Sequence, residues 1–120
     1  MITGFFGVED ALFFEIDLLA SKNLEFPTDA LFDTGFSSYL AINNQDIDGF
    51  SWIYIKQQEM FTARGEAVFD LYLGKVRIDS QEFQIPVHIG QGLTEVLLGR
   101  QWLTTRRLVV DMPSGVLTLG

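Results

Sequence analysis

Asp33-Thr34-Gly35 follows an apolar run, Ala30-Leu31-Phe32. An Asp on a tight turn after a buried strand has the setting of one half of a carboxylate dyad. Two carboxylates held close together cannot both ionise easily, so one pKa rises and the pair shares a proton. The charged member can then take a proton from water while the other protonates a scissile carbonyl oxygen. Asp33 is the candidate carboxylate. Thr34 offers a hydroxyl to brace the turn. Gly35 lets the backbone approach closely and turn its N–H to the carboxylate. The tripeptide occurs once, so a matching second tripeptide would have to come from a second chain across a two-fold axis. An isolated Asp-Thr-Gly also fits an ordinary strand-end turn, and the rest of the chain has to decide.

A second element stands far downstream: Leu97-Leu98-Gly99-Arg100-Gln101-Trp102-Leu103. Two apolar residues before an Asp-Thr-Gly, then a distant apolar-apolar-Gly-Arg, resemble the retropepsin-like aspartic proteases, in particular the small single-domain prokaryotic ones. The resemblance spans roughly Leu12 to Leu119, by the order and spacing of these motifs. It implies an all-β, closed-barrel-like acid protease fold with one short C-terminal helix. It also implies a homodimer in which Asp33 of each chain forms the dyad, with Thr34 bonding across the dimer axis. Leu98, Gly99 and Arg100 would support the site. The chain departs from the viral pattern after the tripeptide. Viral enzymes usually have a small residue in place of Phe36 and an Asp in place of Ser37. Phe36 would crowd the neighbouring pocket or reshape its specificity, and Arg100 would lack its acidic partner. A retropepsin-like flap should lie between the motifs, with its tip at Thr62-Ala63-Arg64-Gly65-Glu66. Phe36, Ser37, Ala63, Arg64 and Gly65 are therefore the expected substrate contacts. Substrate, a peptide or protein, would bind as an extended strand.

Composition limits the alternatives. The chain has 120 residues, one domain by length, and 48% are hydrophobic, enough for a core. Its net charge of −8 argues against nucleic-acid and anionic-membrane partners. Cysteine is absent, which removes disulfides, thiol nucleophiles and thiolate metal sites. The sole histidine, His88, lies in the alternating run Phe83–Ile89 with no second ligand at metal spacing, and reads as structural. No cofactor is implied. Met1–Phe6 lacks a basic segment and a long apolar one, so no secretory signal is read there. No apolar stretch approaches the roughly 20 residues of a membrane span. A soluble, cytoplasmic protein is the expectation.

The elements that must position Asp33 read mostly as strands. Leu12, Phe14, Ile16 and Leu18 alternate with Phe13, Glu15, Asp17 and Leu19. Gly7–Asp10 can fold Ile2–Phe6 back against that strand. Phe26–Phe32, Tyr39–Ile42, Trp52–Ile55, Ala67–Leu73, Lys75–Ile78 and Gln84–Ile89 continue the pattern. Asn43–Asp46 is turn chemistry or a short helical turn. Pro113-Ser114-Gly115 separates Val109–Met112 from Val116–Leu119 as a hairpin turn. Arg100–Arg106 is the helix candidate. Trp102 should pack under the Asp33 turn, and Asp70 and Asp111 should be exposed or brace turns. The terminal segments, near Ile2–Phe6 and Val116–Leu119, are the expected dimer interface by family resemblance. Two further readings remain: a retropepsin-like dimerisation or peptide-binding module without turnover, and an unrelated β-barrel carrying a chance tripeptide.

Overall fold

The computed structural model describes residues 1–62 and 65–120. Its strands are β1 (Ile2–Thr3), β2 (Phe5–Phe6), β3 (Leu12–Leu19), β4 (Glu25–Asp33), β5 (Leu40–Asn43), β6 (Ile53–Thr62), β7 (Gly65–Ile78), β8 (Gln81–Gly90), β9 (Val96–Gly99), β10 (Leu108–Asp111) and β11 (Val116–Leu119). The chain is all-β, with short 3-10 turns between strands. One sheet runs in the order β2-β3-β4-β9-β5-β8-β7-β6, and β3 also pairs with β7. That extra pairing, Asp17 with Arg77 and Leu18 with Val76, closes β3, β4, β9, β5, β8 and β7 into a barrel. β2 and β6 remain as the end strands of the sheet, outside the closed ring.

The period-two pattern of β3 is what fills the barrel. Phe14, Ile16 and Leu18 are buried, whereas Glu15 is exposed. They meet Phe32 from β4, Leu40 and Ile42 from β5, Val76 and Ile78 from β7, Val87 and Ile89 from β8, and Leu98 from β9. Each such side chain contributes about 1.5–3 kcal/mol on leaving water. Leu19 departs from the alternation and is also buried; its carbonyl accepts the Trp52 indole N–H at 2.9 Å.

The N-terminal segment does not run as one strand. Only Phe5 and Phe6 return against β3, while Ile2 and Thr3 pair with Leu119 and Thr118. The break is at Gly4, whose N–H donates to the Leu117 carbonyl at 2.8 Å. A Cβ there would lie 2.3 Å from the Phe13 carbonyl oxygen, so the two segments cross at a contact that excludes a side chain. β1, β11 and β10 form a separate three-stranded sheet, anchored to the barrel core through Leu117 and Leu119. The two terminal segments thus pair with each other inside one chain.

Two further elements differ in length from the sequence pattern. β7 runs unbroken through Gly74, which pairs with Ile85. A Cβ there would meet Val87 Cγ2 at 2.6 Å, so this glycine serves close packing rather than a turn. The helix after Gly99 is a single 3-10 stretch, Arg100–Thr104, the form favoured for runs this short. Among the described residues no helix is long and apolar enough to cross a membrane.

Candidate active site

Asp33 is the last residue of β4, and Gly99 the last of β9. The two strands are parallel and in register, Leu31 with Leu97, Phe32 with Leu98 and Asp33 with Gly99. The two sequence motifs therefore lie side by side, although 66 residues separate them. Phe32 and Leu98 are buried, and Asp33, Thr34 and Gly35 are exposed. The apolar half of each motif anchors its strand, and the polar half is delivered to the surface.

The turn is drawn tight by its own backbone. The Phe36 N–H donates to the Asp33 carbonyl at 3.1 Å. The Gly35 N–H donates to Asp33 Oδ1 at 2.8 Å, which fixes the direction of the carboxylate. Charge-assisted bonds of this kind are roughly twice as strong as neutral ones.

The segment after Gly99 holds the loop from behind. Arg100 N–H donates to the Phe36 carbonyl at 2.9 Å, Gln101 N–H to Ser38 at 3.3 Å, and Gly99 N–H to Tyr39 at 3.0 Å. Arg100 Nη1 donates to the Thr34 carbonyl at 3.2 Å, and no ion pair to Arg100 occurs among the described residues. With serine at position 37, the guanidinium takes a backbone oxygen. Gly99 lies so close to the loop that a Cβ would sit 1.9 Å from the Ser38 carbonyl oxygen. Trp102 is buried, as expected, and its indole N–H donates to the Tyr39 carbonyl at 2.9 Å. Its ring packs edge-on against Tyr39 and Phe83. The carbonyls of Ser38 and Tyr39 are thus part of the support, a role that no side-chain motif announces.

Phe36 is half-buried. Its ring turns edge-on to His88, 5.5 Å between centroids, and Ser37 beside it is exposed. The long hairpin of β6 and β7 pairs from Ile53–Leu73 out to Thr62–Gly65. Gly65 has φ +107°, a left-handed value that glycine accepts without strain. Ala63 and Arg64, the expected tip contacts, lie outside the described residues. Asp111 braces the β10–β11 turn by accepting the Ser114 N–H at 3.3 Å. Asp70 is half-buried in mid-strand and braces no turn. Among the described residues, no group of three or more His, Asp or Glu is placed to hold a metal ion.

No protein-family model matches the chain, and no curated protein matches it by sequence. Solved structures do. A retropepsin-like aspartic protease from Rickettsia conorii is similar over 99% of this chain and 88% of its own, with 21% identity and a TM-score of 0.63. EIAV protease, in complex with the inhibitor HBY-793, is similar over 88% of this chain and 98% of its own, with 12% identity and a TM-score of 0.68. The chain has a retropepsin-like fold.

Proposed function

We propose that this retropepsin-like chain is an aspartic endopeptidase whose active site forms between two copies, each giving one Asp33. The observation that carries this reading is the placement of Asp33. It stands exposed at the end of a buried strand, its carboxylate oriented by the Gly35 N–H. The β9 motif lies in register beside it.

In the dimer the two carboxylates share one proton, and their apparent pKa values belong to the pair. Water held between them attacks the scissile carbonyl carbon. The ionised carboxylate takes the proton from water, and the protonated one gives its proton to the carbonyl oxygen. The tetrahedral diol then collapses as a proton passes to the leaving nitrogen and the C–N bond breaks. The β6–β7 hairpin is the element to cover the peptide and exclude water. Activity on the acid side of neutrality follows from the shared proton. The exposed Val109 and Val116, which share one face of β10 and β11, favour an association through the three-stranded sheet, since clustered exposed apolar side chains mark contact surfaces.

The test is hydrolysis of a random peptide library from about pH 3 to about pH 7, the range over which such a dyad keeps one proton. D33N is run alongside at the same concentration. Cleavage lost in D33N supports the reading, and cleavage that survives it sinks the carboxylate mechanism. Peptide binding without cleavage, by a dimer, would mark a module that binds but does not turn over.

A further inference from the structure

We propose that His88 is a positioning residue, which clamps the Asp33 turn to the β7 strand of the projecting hairpin and does so only as the neutral imidazole. Its consequence for turnover rests on the protease reading; the clamp itself can be read without turnover.

His88 lies in β8, in register with Ala41 of β5 on one side and Leu71 of β7 on the other. It is 4% exposed, the sole buried polar side chain among the described residues. Neither ring nitrogen has a hydrogen-bond partner there. Two phenyl rings stand edge-on to it. Phe36 is 5.5 Å away and Phe69 is 5.7 Å away, centroid to centroid. Phe36 follows Gly35, and its backbone is tied to both Asp33 and Arg100. Phe69 belongs to β7 and pairs with Gln58 of β6. The Phe69 ring also lies directly over Gly90, where a Cβ would meet it at 2.6 Å. One imidazole therefore bridges the two parts that must keep a fixed relation for a peptide to be held against Asp33.

Leucine or phenylalanine could occupy such a box without leaving polar atoms unpaired. Leaving a buried nitrogen unpaired costs free energy, and an unsatisfied group of this kind calls for an explanation. What histidine adds is a change of charge in mild acid. Among the described residues no carboxylate faces it to stabilise that charge. Phe36, Ala41, Phe69 and Leu71 are not ionisable. β5 carries no titratable residue. In β7, Asp70 and Tyr72 alternate with Phe69 and Leu71, so they face the other side. Around the turn, Arg100 is bonded to the Thr34 carbonyl and Asp33 to the Gly35 N–H. Burial holds the His88 pKa below the ordinary 6.5, with no opposing contribution from a neighbouring charge. When the ring does protonate, both N–H groups require water, and the ring must leave the contact between Phe36 and Phe69. The dyad sets the alkaline limit of activity, and His88 sets an acid limit of its own.

Because the chain has a single histidine, its imidazole signals can be followed by NMR without ambiguity. The titration is run in D33N, so that the dyad contributes no transition and turnover is absent. The expected result is one midpoint below 6.5, shared by His88, the Phe36 and Phe69 ring signals and the Gly35 amide. D33N/H88L should lack that transition. Phenyl and Gly35 signals that stay still while His88 titrates would overturn the clamp, as would the same transition in D33N/H88L. If the leucine variant does not fold, the D33N titration alone decides. In the active chain, the acid limb of peptide cleavage should move to lower pH in H88L. Unchanged acid limbs in both proteins would overturn the link to turnover. No cleavage by wild type at any pH would sink the protease reading, with the NMR titration still judging the clamp.

Discussion

Asp33 is the residue on which the proposed chemistry depends, and Gly99 is the one against which its turn is packed. In D33N the Gly35 N–H keeps an oxygen to bond, but the proposed dyad loses both of its ionisable members, one from each copy. Peptide hydrolysis should fall by at least about 10²–10⁴, the usual worth of a positioned acid or base, with an unchanged unfolding midpoint. G99A acts on the fold instead. Its methyl group would lie 1.9 Å from the Ser38 carbonyl oxygen and 2.8 Å from that of Phe36. Overpacking of this kind costs about 1–3 kcal/mol or more, to be read by urea unfolding, and the turn would be displaced with it. At this scale Asp33, Gly35 and Gly99 were legible because each is a residue type whose chemistry or size the motif demands. Arg100 was legible only in part. The absence of an acid at Ser37 could be read directly, but that the guanidinium would take the Thr34 carbonyl could not. A backbone oxygen has no letter in the sequence.

Among the elements, β4 and β9 carry the candidate site, and the 3-10 stretch after β9 braces it. Trp102 is the centre of that brace, 2% exposed and bonded to Tyr39. W102A should cost about 3–5 kcal/mol, as large-to-small core changes do. W102F keeps most of the ring and loses the hydrogen bond, so about 0.5–1.5 kcal/mol is expected. Chemical unfolding measures both, and a W102A cost no larger than that of W102F would contradict the packing described. The strands were readable wherever one face is buried, as in β3, because the period of two is then enforced by the core. The break at Gly4 and the continuity at Gly74 were not. Both depend on what stands opposite the glycine, the Phe13 carbonyl in one case and Val87 in the other.

For the molecule as a whole, the prediction concerns two chains. If each copy gives one Asp33, cleavage should fall more steeply than linearly on dilution through the dimer dissociation range. Excess D33N should also inhibit wild type by forming mixed dimers. Sedimentation and activity at matched concentrations check both, and linear activity with no inhibition would exclude a shared site. Acid should also weaken the fold in two steps. His88 has a native pKa depressed below 6.5 by burial. The unfolded chain therefore binds a proton that the native chain refuses, and stability falls as pH drops from 6.5 to the native value. H88L should lack that slope in unfolding midpoints. Asp79 has its pKa lowered, chiefly by the hydrogen bond from the Met1 ammonium group, with the charges of Met1 and Arg106 assisting. Its contribution is present above 3.8 and is lost as pH falls through the native value. Salt should shrink it, since the pair is at the surface.

Local patterning was enough to show the strand-rich character of the chain, the candidate carboxylate and the two motifs, one of which contains it. Those follow from local rules: alternation against a core, glycine where the backbone must approach, and one Asp on a turn. Tertiary structure decided what those rules cannot reach. The register that sets Asp33 beside Gly99, the pairing of β1 with β11 inside one chain, and the placing of Phe36 and Phe69 about His88 are contacts between distant segments. They depend on how the barrel closes, and closure is a property of all its strands at once.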